Sequence, residues 1–274
     1  MQWDKVKNVL IVILVAVNVF LLGNLGRQFW QTRQQEAELV SSLRTLMQDY
    51  GLALDEDFSL PNDVVLPELS IDRSRPNEEA SAIAMLGGEP ERTEQEDGTV
   101  IFEGERGTVE WGADGSVSGS ITTGEAMPTD AGAALRLAKR LFSDWKLQAE
   151  DAVFRAEGTS VTMTGTVAGL PVFNRTLTIR FTGDGFASLS GLWSFGTPYT
   201  TVSASGVTCN AADALLEFVA RQPEAQSVLS MTAGYRMQTD SSRRLQFTPT
   251  WKIVTDSGEY LVDCDKKTII DQEK

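Results

Sequence analysis

Hydrophobic residues along the chain follow three patterns. From Val9 to Gly26 they form an eighteen-residue run without a charge. Between 31 and 50 they recur at Leu39, Leu43, Leu46, Met47 and Tyr50, the period of an amphipathic helix, which Gly51 closes. From about 99 onward most of them alternate in short runs, as half-buried strands do. The Gln- and Glu-rich stretch 31–38 reads as a polar stalk that continues the helix. Residues 52–78, with Pro61, Pro67 and Pro76, read as extended loop with short strand pieces, and a short helix follows at Glu78–Leu86 before Gly87-Gly88.

Strands are expected at Thr99–Glu103, Thr108–Trp111 and Val117–Ile121, joined through Gly104, Gly107 and Asp114-Gly115. The segment MPTDAGAALRLAKRLFSDW supplies Thr129 or Asp130 as N-cap. Its helix runs to about Trp145, with Ala134, Leu137, Ala138, Leu141 and Phe142 on one face. Strands follow at 152–156, 160–167, 172–182 and 186–193. The pattern then restarts. VTCNAADALLEFVARQ has the same cap, small-residue start and apolar face, and strands follow at Ser227–Gln238, Gln246–Thr255, Glu259–Asp263 and Thr268–Ile270. The fold class is therefore α+β, built of repeated helix-plus-antiparallel-sheet units.

Eighteen helical residues span about 27 Å, close to the thickness of a bilayer core. The run is longer than a signal-peptide core, and Gly23-Asn24-Leu25-Gly26 is a poor cleavage site, so it reads as an uncleaved single span. Lys5 and Lys7 lie close to it on the N-terminal side, opposite Arg27 and Arg33, which favours a cytoplasmic N-terminus and an extracytoplasmic remainder. Asn18 stands near the middle, either paired across a helix interface or tolerated there. Ile11, Leu14, Asn18, Leu21 and Leu25 share the 3-4 spacing of a left-handed helix seam. With Trp3, Lys5 and Lys7, these residues form the expected partner-binding face of the anchor.

The chain contains no histidine, which removes Ser-His-Asp and Cys-His catalysis and the commonest zinc ligand. Cys209 and Cys264 cannot make a structural zinc site alone; they either pair or remain two buried thiols. A net charge of −14 disfavours nucleic acid, whose phosphates need neutralising. Ser143-Asp144-Trp145-Lys146 matches S-x-x-K, but the serine ends a helix where that chemistry needs it to begin one. Asp256, Asp263 and Asp265 lack any EF-hand pattern and read as a solvated acidic edge. Trp193, Phe195, Tyr199, Tyr235 and Trp251 read as core aromatics before they read as a groove. No catalytic, metal or cofactor site is expected.

The N-terminal W-x-K-x-K, the N-x-F-L-L of the span (Asn18, Phe20, Leu21, Leu22) and the closing PTWKI…GEYLVDCDKKTIID resemble the YycI family and the related YycH proteins. The closing hairpin also occurs in PepSY-type domains. The resemblance implies a non-enzymatic, membrane-anchored regulator of the YycG/YycF (WalK/WalR) two-component system, with a sensor histidine kinase and a sister YycH-like protein as partners. The expected layout is a cytoplasmic N-terminus (1–8), a transmembrane helix (9–26), a membrane-proximal α+β domain (27–125), and helix-plus-sheet repeats at 126–200 and 201–274. The alternative is a membrane-tethered PepSY-like binding or inhibitory module for a protease or cell-wall enzyme.

Overall fold

The computed structural model describes residues 38–61, 66–147, 151–183, 185–200, 210–221, 224–239 and 244–271. The expected span 9–26, its seam residues and Cys209 lie outside the described residues. Among the described residues no helix is long and apolar enough to cross a membrane.

The chain is mixed α+β and mostly sheet, with four helices among the described residues. Helix α1 (38–49) leads through β1 (Ala53–Leu54) and β2 (Leu69–Ile71) into α2 (Arg75–Leu86). Four antiparallel strands follow: β3 (Glu91–Glu94), β4 (Val100–Gly104), β5 (Gly107–Trp111) and β6 (Ser116–Thr122). Helix α3 (Ala131–Asp144) precedes β7 (Val153–Glu157), β8 (Ser160–Val167), β9 (Leu170–Thr182) and β10 (Phe186–Leu192), again antiparallel. After β11 (Pro198–Thr200), α4 (Ala211–Ala220) precedes β12 (Ser227–Thr239), β13 (Leu245–Thr255), β14 (Glu259–Asp263) and β15 (Thr268–Asp271). The order of one helix and four antiparallel strands thus occurs three times. Its first occurrence was legible only as a small α+β unit, because β3, Glu-Arg-Thr-Glu, has no buried position and no alternation to read.

Local chemistry sets the element ends. Asp130 caps α3 by accepting the Ala133 N–H at 2.8 Å, and Asn210 caps α4 by accepting the Asp213 N–H at 2.7 Å. Helix α2 starts at Arg75, earlier than the expected Glu78, because Pro76 occupies its first turn, where no N–H is needed. Strand β8 alternates strictly, with Val161, Met163 and Val167 inward. In α1 only Leu43 and Met47 are buried. Leu39, Leu46 and Tyr50 are exposed, so the apolar face is narrower than the sequence period implies. An isolated period cannot tell which of its residues a neighbouring sheet will cover.

The strands join into one sheet in the order β11-β2-β13-β12-β9-β10-β6-β5-β4-β3, from which β7–β8 branches at β9 and β14–β15 at β13. Two hydrophobic cores lie against it. One gathers Met47, Leu52, Leu69, Phe218, Tyr235, Phe247 and Trp251; the other gathers Met85, Phe102, Trp111, Phe142, Ile179, Trp193 and Phe195. Each core therefore draws on residues far apart in sequence. Strand β9 serves both, with Val172 in the first and Leu177, Ile179 and Phe181 in the second. Where β10 turns beside it, Gly191 has φ +149, and a Cβ there would lie 2.1 Å from the Thr176 carbonyl oxygen, so only glycine fits.

Candidate functional site

Of the expected solvated acidic edge, Asp256 and Asp265 are exposed, whereas Asp263 is buried because its carboxylate closes a turn. Asp256 Oδ1 accepts the N–H groups of Gln226 and Ser227, both at 3.0 Å, and Asp263 Oδ1 accepts those of Asp265 and Lys266. Ser143 sits in the last turn of α3, and its hydroxyl makes no hydrogen bond to Lys146. Trp193, Phe195, Tyr235 and Trp251 are core residues, whereas Tyr199 is partly exposed and its hydroxyl lies 3.2 Å from Asp72. Cys264 is buried.

A groove of about 880 Å³ opens between the C-terminal end of α3, the start of β7 and the β8–β9 hairpin. Leu147, Phe154 and Val167 give it apolar walls. Lys139, Lys146 and Arg175 also line it, against Asp151 as the carboxylate among the described lining residues. None of these cations has an ion-pair partner among the described residues. Lys139 rests its ammonium 5.1 Å from the centre of the Phe154 ring, and Lys146 follows α3 in a left-handed conformation with φ 57. The carbonyls at the end of α3 favour positive charge there, which accounts for the lysines in part.

Arg175 has no such account. It lies on β9, is 6% exposed, and stacks its guanidinium 4.2 Å over the Trp193 ring. Nη2 donates to the Ser194 carbonyl at 2.8 Å, while Nε, like Trp193 Nε1, is buried without a hydrogen-bond partner among the described residues. Burial pushes Arg175 down to about 10, and it stays charged at neutral pH. An uncompensated buried ion costs on the order of several kcal/mol, and stacking on an aromatic ring returns about 2. The backbone makes room for it at Gly165, where the β8–β9 register shifts between Thr164 and Thr166. A Cβ there would come 3.0 Å from Arg175 Cδ and 3.2 Å from Trp193 Cζ3.

Sequence reasoning did not find this site. The available signal was Gly165, an isolated glycine inside a strongly alternating strand, which marks a bulge or a close approach. Of the expected site residues Trp3, Lys5, Lys7, Ile11, Leu14, Asn18, Leu21 and Leu25, all lie outside the described residues.

No family model matches the chain, and no curated protein matches it. Several solved structures are distantly similar, two of them as follows. One is an uncharacterized protein from Eubacterium rectale, at 10% identity and TM-score 0.39, covering 81% of this chain and 91% of that one. The other is the Bacillus megaterium YpeB C-terminal domain, at 8% identity and TM-score 0.35, covering 75% of this chain and 100% of that one. The YycI/YycH resemblance therefore rests on the residues quoted for it.

Proposed function

We propose that this protein is a non-enzymatic binding module, tethered to the membrane by residues 9–26, with its α+β part outside the cytoplasm. It needs no cofactor and does not bind nucleic acid. The observation that carries this reading is the groove beside Arg175. It offers apolar walls and cations without an ion-pair partner among the described residues, which suit recognition. The partner on this reading is another envelope protein, such as a protease or cell-wall enzyme, which the module holds or inhibits.

A second, narrower reading follows the YycI/YycH resemblance: regulation of a sensor histidine kinase together with a sister YycH-like protein, through contacts of the membrane helix. One observation favours it. Leu39 and Leu46 are exposed on α1 and fall in heptad steps from Ile11, Asn18 and Leu25. A partner helix following the membrane seam would meet them next.

Crosslinking and co-purification of the tagged full chain from its native membrane, with mass spectrometry of what it carries, tests both. Recovery of a hydrolase without a kinase supports the first reading. A sensor kinase together with a second single-span protein supports the second, and recovery of no envelope protein removes both.

A further inference from the structure

Strand β7, which pairs only with β8 among the described residues, forms one wall of the groove. Phe154 and Ala152 of that strand segment line the groove, whereas Val153, 61% exposed, faces away from it. A cleft walled by a helix and by alternate side chains of a strand can take an extended peptide segment. The charge of the groove then selects the peptide. Lys139 and Lys146 stand exposed at its rim, and Arg175 lies 94% buried in its wall, away from the screening of bulk water. Its volume is far larger than one inorganic anion needs and suits several residues.

We infer that the groove between α3, β7 and the β8–β9 hairpin binds an extended acidic peptide segment of the partner, with apolar side chains against Leu147, Phe154 and Val167 and carboxylates on Arg175, Lys139 and Lys146. The inference rests on the binding-module reading and names the chemistry of what that module holds. The rest of the chain repels such a peptide, since its net charge is −14. Attraction at the groove against that background gives the site its selectivity.

The test uses the full chain in a neutral maltoside detergent and a fluorescein-labelled decapeptide of alternating Glu and Val, read by fluorescence anisotropy. Binding is expected to be saturable, to weaken severalfold as salt rises, and to be absent for the same peptide with Lys in place of Glu. The double variant Lys139→Glu/Lys146→Glu, altered only at exposed positions, is expected to bind at least tenfold more weakly with an unchanged thermal transition. Arg175→Met, which keeps length over Trp193, is expected to weaken binding to a similar degree. Absence of saturable binding, or equal affinity in the double variant, overturns the inference. So does displacement by equimolar inorganic phosphate, which would make the groove a small-anion site. If the double variant still co-purifies with the wild-type partner, the peptide inference fails while the module reading stands. If the wild type recovers no partner, the module reading itself fails.

Discussion

Asn174 and Met237 hold one another through a reciprocal pair of hydrogen bonds. Asn174 Nδ2 donates to the Met237 carbonyl at 2.7 Å, and the Met237 N–H donates to Asn174 Oδ1 at 2.7 Å. The side-chain amide thus stands in for a peptide group. It lies where β9 meets β12 in parallel, a junction whose backbone register contains one residue pair, Tyr235 and Val172. Met237 belongs to one core, and its sulfur accepts from the Ser194 hydroxyl, beside Trp193 and Phe195 of the other. The pair therefore fastens the two cores to each other.

Replacing Asn174 with Leu leaves a backbone donor and acceptor unpaired in a part-buried seam. The expected loss is about 2 kcal/mol of unfolding free energy, measured by urea denaturation of the full chain in detergent. A loss below about 0.5 kcal/mol, ordinary for a surface position, would show that packing alone holds the junction.

Glu78 is the buried centre of a second network. Arg73 donates to both of its carboxylate oxygens, and Arg75 Nη1 donates to Oε2 at 3.2 Å. The two arginines also reach the carbonyls of Gly112 and Gly98, at 2.7 and 3.1 Å, which ties α2 to two strand connections. Glu78→Ala strands two cations around a site that is 1% exposed. A loss of about 3–5 kcal/mol is expected, and an unchanged melting temperature would refute this role.

Acid should weaken the fold through two carboxylates that accept backbone N–H groups. The Ser227 and Gln226 N–H groups hold the Asp256 carboxyl below the ordinary carboxylate value, and the Ala133 N–H does the same for Asp130. Each binds its proton less readily folded than unfolded. The stability it contributes is thus complete above the unfolded value of about 3.9 and is lost as pH falls through the lower folded value. The melting temperature is expected to fall as pH drops below about 4. Asp256→Asn with Asp130→Asn keeps an oxygen acceptor at each position, so it should flatten that fall; an equally steep fall in the variant would show that other groups carry it.

Asn18→Leu removes the amide from the expected span without shortening it. Amide contacts between membrane helices contribute about 0.6–2 kcal/mol, so recovery of a membrane-helix partner is expected to drop by roughly threefold or more while insertion is retained. Unchanged recovery in quantitative co-purification would place the partner contact outside the membrane.

Local patterns proved readable wherever one element decides its own geometry. Asp130 and Asn210 cap their helices, β8 alternates, and β13–β15 lie within a residue of the expected bounds, although β13 and β14 are buried on both faces over part of their length. What the sequence concealed was decided by neighbours. Leu39, Leu46 and Tyr50 carry a helical period, yet the sheet covers only Leu43 and Met47 between them. Arg175 shares strand parity with the inward Leu177, Ile179 and Phe181, but its stack on Trp193 needs the room that Gly165 leaves on the neighbouring strand. The groove wall depends on that tertiary contact. No residue type in its lining announces it.

The short parallel contact of β1 with β12 has a mechanical consequence. A pull transmitted along the chain from an N-terminal anchor arrives through α1, and the first sheet contact it loads is Ala53–Leu54 against Ser227–Val228. Two paired residues, helped by the Arg44 hydrogen bond to the Asp55 carbonyl, form a weak link that gives way before the long β12–β13 hairpin feels the load. If the chain is tethered as proposed, tension would be spent on releasing α1 and β1, lengthening the leash while the Arg175 groove keeps its shape.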